Sequence, residues 1–176
     1  MTRERGPHIL LIGFMGSGKS TIGRKLARRY RRLLLDTDEG IAQAAGMTIP
    51  EIFAAEGEAG FRAREQAYLE SLTTADPAII SCGGGVIVNE VSRELVRKLG
   101  TVVYLHVEAE EAVARISHPE TRPLLQGDTP PAELLARRMP LYRASADIML
   151  DTSGKNPGAV AGELGRMLEE KGLLWL

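Results

Sequence analysis

The chain has 176 residues, 44% of them hydrophobic, which is enough for one well-buried core and short for two, so a single domain over 1–176 is expected. Its 22 Lys plus Arg against 23 Asp plus Glu leave a formal net charge of -1, which argues against nucleic acid or an anionic membrane as a partner. One cysteine, Cys82, and scattered His8, His106 and His118 rule out an internal disulfide and a clustered metal site, and the start Met-Thr-Arg-Glu-Arg-Gly-Pro has no signal-peptide core, so a reducing cytoplasm is expected.

Apolar runs rich in Ile, Val and Leu recur at residues 8–14, 33–35, 78–82, 101–107 and 147–150, separated by longer segments with helical spacing. That alternation predicts an α/β fold, a five-stranded parallel sheet covered by helices on both faces.

The first run leads into Gly13-Phe-Met-Gly16-Ser17-Gly18-Lys19-Ser20-Thr21, a G-x-x-x-x-G-K-S/T pattern between a strand and an amphipathic helix. Glycines let successive backbone N–H groups curl around a phosphate, and the helix behind them presents its positive end. Lys19 is placed to reach the β- and γ-phosphates of ATP, and the Ser20 hydroxyl to ligate a bridging Mg²⁺. The alternative, a glycine-rich turn with no ligand, leaves the Lys and Ser unexplained.

The second run ends in Asp36-Thr-Asp38, two carboxylates read as alternate residues at the C-terminal edge of a strand. Asp36 can support hydrated Mg²⁺ and Asp38 can orient or deprotonate an attacking hydroxyl; a solvated turn cap is the plainer alternative. Thr48-Ile-Pro-Glu51 reads as a capping box opening a helix. The third run ends in Gly83-Gly84-Gly85 without an acidic residue at its tip, which leaves Asp36 as the carboxylate nearest the metal. Bare backbone there can approach a substrate, or form a flexible turn.

From 118 to 131, Pro119, Pro123, Gly127, Pro130 and Pro131 oppose regular structure, and a mobile flap rather than a domain linker is expected. Asn156-Pro157 then places a cap before a proline at the first helical position.

Taken in order, residues 13–21, Asp36-Thr-Asp38, Gly60-Phe-Arg62, Gly83-Gly84-Gly85, Arg122-Pro-Leu-Leu125 and Arg138-Met-Pro-Leu-Tyr142 resemble the shikimate kinases, over most of the chain. The resemblance implies the three-layer αβα P-loop kinase fold with a substrate-binding region at about 36–70. It also implies that ATP phosphorylates the 3-hydroxyl of shikimate, in a monomer. Asp38 then holds substrate hydroxyls, Arg62 and Arg138 hold the carboxylate, and backbone at Gly84 and Gly85 completes the pocket. A planar guanidinium matches a carboxylate, although each arginine alone also reads as a solvated helix charge and the adjacent Arg137 competes for the place of Arg138. By the same resemblance the flap is a lid over about 117–131 that swings over ATP and brings Arg122 to the phosphates as a charge clamp, and Arg115 and Pro157 sandwich the adenine with Lys155 nearby, where some relatives carry arginine.

Asp38, Lys19 and Arg122 are thus the expected catalytic residues. Gly16, Ser17, Gly18, Ser20 and Thr21 are expected to bind ATP. Two rivals share the P-loop: another small-molecule or nucleoside monophosphate kinase, and a nucleotide-binding module that has lost catalysis. The histidines, Cys82 and Trp175 are read as structural.

Overall fold

The computed structural model describes residues 5–116 and 129–176. In chain order the elements are β1 (His8–Ile12), α1 (Lys19–Tyr30), β2 (Leu33–Asp36), α2 (Thr37–Ala45), α3 (Ile49–Ser71), a 3₁₀ turn (Leu72–Thr74), β3 (Ala78–Ser81), α4 (Glu90–Leu99), β4 (Gly100–His106), α5 (Ala109–Arg115), α6 (Pro131–Ser145), β5 (Ile148–Asp151) and α7 (Pro157–Glu170). All five apolar runs become strands, and every strand pair is parallel, in the order β2-β3-β1-β4-β5.

Strand periodicity divides the core in two. Leu10, Ile12, Ile80, Val102 and Tyr104 face one way, onto Leu69 of α3, Val96 of α4, Ala112 of α5 and Leu135 and Tyr142 of α6. Ile9, Leu11, Ile79, Val103 and Leu105 face the other way, onto Ile22 and Leu26 of α1 and Val160, Leu164 and Leu168 of α7. This is the expected three-layer αβα arrangement. A third, smaller cluster of Ile41, Ile52 and Phe61 ties α2 to α3 and stiffens the side of the molecule that carries the acceptor recess.

The local signals act as read. Thr48 Oγ1 accepts from the Glu51 N–H while the Glu51 carboxylate accepts from the Thr48 N–H at 3.0 Å, closing the capping box. Asn156 caps α7 with Pro157 at its first position, accepting from the Gly158 N–H at 2.7 Å.

One local expectation is corrected. Asp36 and Asp38 are not alternate residues of a strand, because β2 ends at Asp36 and α2 starts at Thr37. Asp36 Oδ1 accepts from the Glu39 N–H at 3.1 Å, and this cap turns the chain into the helix, placing Asp38 in its first turn. A second irregularity lies in α3, where Gly57 has φ 71 and ψ -177 and breaks the helix into two segments.

His8 bridges elements: its Nε2 bonds the Leu72 carbonyl at 2.9 Å and its Nδ1 accepts from the Ala78 N–H at 3.1 Å, in keeping with the structural role expected of it. Cys82 is buried, and burial pushes its thiol well above the ordinary range.

Candidate active site

The C-terminal ends of β1, β3 and β4 meet where the strand order reverses, the position at which open α/β sheets bind ligands. A cleft of about 810 Å³ opens there. Gly16, Ser17, Gly18, Lys19, Ser20 and Thr21 line one wall, and Asp36, Asp38, Arg115, Lys155 and Pro157 line the others.

The loop after β1 needs its glycines. Gly16 has φ 78 and faces the Ala112 carbonyl of α5 so closely that a Cβ could not be fitted. Lys19, at the first position of α1, folds back over this loop and donates to the carbonyls of Gly13 at 2.7 Å and Phe14 at 3.0 Å. Its ammonium is therefore held at the mouth of a cradle of backbone amides.

Ser20 Oγ donates to Asp36 Oδ2 at 3.1 Å, so the two residues expected to serve a metal stand together. The other Asp36 oxygen is occupied by the α2 cap, which aims the carboxylate. Ser81, at the tip of β3, stands 3.3 Å from Ser20 Oγ and fills the place where an acidic residue was missing. A hydroxyl and a carboxylate are hard oxygen donors and suit Mg²⁺ completed by water and phosphate; among the described residues no group of three His, Cys, Asp or Glu offers an all-protein cage.

On the far side of the loop, Arg115 is clamped by Glu111 at 2.6 Å and by the Thr152 carbonyl at 2.8 Å. Glu111 also accepts from the Gly154 N–H, and that bond is the largest cause of its lowered pKa, with Arg115 adding to it. Buried Thr152 donates to the His106 carbonyl at 2.9 Å, fastening the β5–α7 loop to β4. Arg115 and Pro157 line the same cleft, with Lys155 beside them, 3.9 Å from Glu163.

A second recess adjoins the cleft. Asp38, Gly83, Gly84, Met15 and Ile49 border both, so Asp38 stands between the phosphate cradle and the recess. Arg62 and Glu65 from α3 and Arg138 from α6 enter the recess, against an apolar wall of Phe53 and Phe61.

Burial makes this cluster chemically tense. Glu65 is fully buried; Arg62 Nη1 donates to its Oε1 at 3.0 Å, while Oε2, Arg62 Nε and Arg138 Nε and Nη1 are buried with no hydrogen-bond partner among the described residues. Desolvation pushes the Glu65 carboxyl up to about 7, against the pull of Arg62. Buried donors left unmet are costly and fit an anionic ligand.

The three glycines are explained by space as well as backbone access. A Cβ on Gly83 would lie 2.7 Å from Asp38 Oδ1, and one on Gly85 would collide with the Arg62 guanidinium. The Gly83 N–H is taken by Thr37 Oγ1 at 2.8 Å, and Gly84 and Gly85 carry the recess wall.

Of the two adjacent arginines, Arg138 is buried and faces the recess, whereas Arg137 is exposed and pairs with Glu133 at 2.6 Å. Arg122, with most of the expected lid, lies outside the described residues. Sequence reasoning passed over Glu65, Ser81, Thr152 and Glu111. For Glu65 a signal existed, since it lies three residues after Arg62 on one helix face.

The shikimate kinase family model matches residues 15–169. The chain is 44% identical over 163 residues to the shikimate kinase of Chromohalobacter salexigens, covering 91% of each, and 43% identical over 173 residues to that of Halorhodospira halophila, covering 96% of this chain and 98% of the other. Among solved structures it is similar to shikimate kinase from Acinetobacter baumannii in complex with shikimate, at TM-score 0.88 and 38% identity, covering 96% of each chain. Thymidylate kinase from Candida albicans shares the fold alone, at TM-score 0.61 and 16% identity.

Proposed function

This chain belongs to the shikimate kinase family, and from that premise we infer that it transfers the γ-phosphoryl group of ATP to the 3-hydroxyl of shikimate, giving ADP and shikimate 3-phosphate. The observation that carries the acceptor assignment is the pair of arginines with buried, unmet donors, half-buried Arg62 and buried Arg138, facing one recess that opens on the phosphate cradle through Asp38. Two guanidinium forks reward a carboxylate and leave a neutral polyol without a partner for them.

The nucleotide lies along the loop at residues 13–21, its phosphates on the backbone amides and the α1 N-terminus, with Lys19 neutralising the β–γ region. Its adenine lies between Arg115 and Pro157, near Lys155. Ser20, with Asp36 behind it through water, would hold Mg²⁺, which when bound neutralises the triphosphate. Backbone at Gly84 and Gly85 supports the acceptor ring.

Asp38 accepts a hydrogen bond from the 3-hydroxyl, aims its oxygen in line with the γ-phosphorus and takes up its proton as the new P–O bond forms and the bond to ADP breaks. Arg122, by the family resemblance, clamps the charge on the moving phosphoryl group. By the same resemblance the lid expected around Arg122 excludes water, which would otherwise compete as acceptor. We further propose that the chain acts as a monomeric single kinase domain in the cytoplasm; no helix among the described residues is long and apolar enough to cross a membrane.

Glu65 adds a pH dependence. Its raised pKa means that the carboxyl gains a proton as pH falls through about 7, removing one negative charge beside Arg62 and Arg138. Shikimate stays ionised until about pH 4, the ordinary carboxyl range. The KM for shikimate should therefore fall roughly fivefold between pH 8 and 6, and Glu65→Gln should flatten that dependence. Initial rates over this range check it, and a KM that rises on acidification contradicts it.

The activity itself is tested by phosphorus nuclear magnetic resonance of the product formed from MgATP and shikimate. A new monoester on the 3-oxygen is expected; inorganic phosphate alone would mean that water, not shikimate, is the acceptor.

A further inference from the structure

Arg138 and Tyr142 lie four residues apart on α6 and so share a face, the first lining the acceptor recess and the second buried behind it. The Tyr142 hydroxyl donates to the Gly84 carbonyl, across 58 residues of chain. Gly84 borders both the recess and the nucleotide cleft, and a Cβ built on it would lie 3.6 Å from Arg138 Nη1.

The ring is fixed as firmly as its hydroxyl. Tyr142 stacks on Tyr104 with centroids 5.0 Å apart and planes 15° from parallel, and both rings are fully buried. The Tyr104 hydroxyl points elsewhere, to His106 Nδ1 at 2.7 Å, and His106 Nε2 reaches Glu108 at 3.0 Å. Tyr142 is thus held by β4 on one side and holds the glycine turn on the other.

We propose that Tyr142 is a positioning residue for the acceptor, setting through its bond to Gly84 the separation between the glycine turn and Arg138. The proposal rests on the shikimate reading of the recess. Without the hydroxyl, a half-buried carbonyl loses its partner and the turn is free to relax away from α6, widening the site on the acceptor side only.

Tyr142→Phe keeps the ring and the stack and deletes the hydroxyl, with its bond to Gly84 and its contact with Arg138. Its KM and calorimetric Kd for shikimate should rise about fivefold to tenfold, the range of one internal hydrogen bond, with kcat and the affinity for ATP within about twofold of the unaltered protein. Tyr104→Phe deletes an equally buried hydroxyl that touches nothing in the recess; it should lower thermal stability and leave the shikimate KM unchanged. A Tyr142→Phe protein that binds shikimate with unaltered Kd, or that loses ATP affinity in equal measure, overturns the positioning role while leaving the kinase reading intact. Failure of the unaltered protein to bind shikimate at all overturns the reading and the positioning role with it.

Discussion

Asp38→Asn should lower turnover by about a hundredfold to ten-thousandfold while the protein still binds MgATP with affinity within about twofold. The two carboxylates of the Asp36-Thr-Asp38 segment have separate duties. Asp36 is committed on one oxygen to the α2 cap and on the other to Ser20, whereas Asp38 borders both the phosphate cradle and the acceptor recess. Asparagine keeps the size and can still hold a hydroxyl, but it cannot take up the proton released in the transfer. The shikimate KM should accordingly change far less than kcat. Initial rates together with nucleotide binding by calorimetry separate the two, and a variant with unchanged turnover would remove Asp38 from the chemistry.

Charge reversal at the recess gives the second large effect. Arg62→Glu should raise the shikimate KM by about a hundredfold to a thousandfold, the cost of leaving a largely desolvated charge without its partner. The new carboxylate would stand beside Glu65, three residues on, and would repel both it and the incoming acceptor carboxylate. Arg62 lines the recess and not the nucleotide cleft, so ATP affinity should be preserved. Collapse of nucleotide binding in this variant would contradict the division of the site into two compartments.

Most of the architecture was legible in the sequence because it depends on local rules. Five apolar runs, a strand–loop–helix around Gly13 to Thr21, and the caps at Thr48 and Asn156 are each specified by residues close together in the chain. The misplacement of Asp38 has a local cause too. Asp36 is read equally well as a strand end or as a helix cap, and only the bond to the Glu39 N–H decides between them.

What escaped the sequence depends on distance along the chain. Thr152, in the loop after β5, bonds the Ser17 carbonyl, and Glu111 of α5 holds Arg115, yet nothing near them in sequence points at the phosphate loop. Ser81 meets Ser20 across 61 residues, and Tyr142 meets Gly84 across 58. The choice between Arg137 and Arg138 was likewise closed to sequence, since adjacent helix positions differ by rotation alone and tertiary packing decides which one turns inward.

The central claim, that a shikimate-shaped acid is the phosphate acceptor, is tested most directly by ADP release from the purified protein with MgATP. Shikimate, quinate, gluconate and nucleoside monophosphates would be supplied in turn as acceptors. ADP release that depends on shikimate and is not elicited by the monophosphates or gluconate is the predicted result. Release with a monophosphate or gluconate instead would keep the phosphate cradle and discard the acceptor recess as described, and no release with any acceptor would contradict the kinase itself.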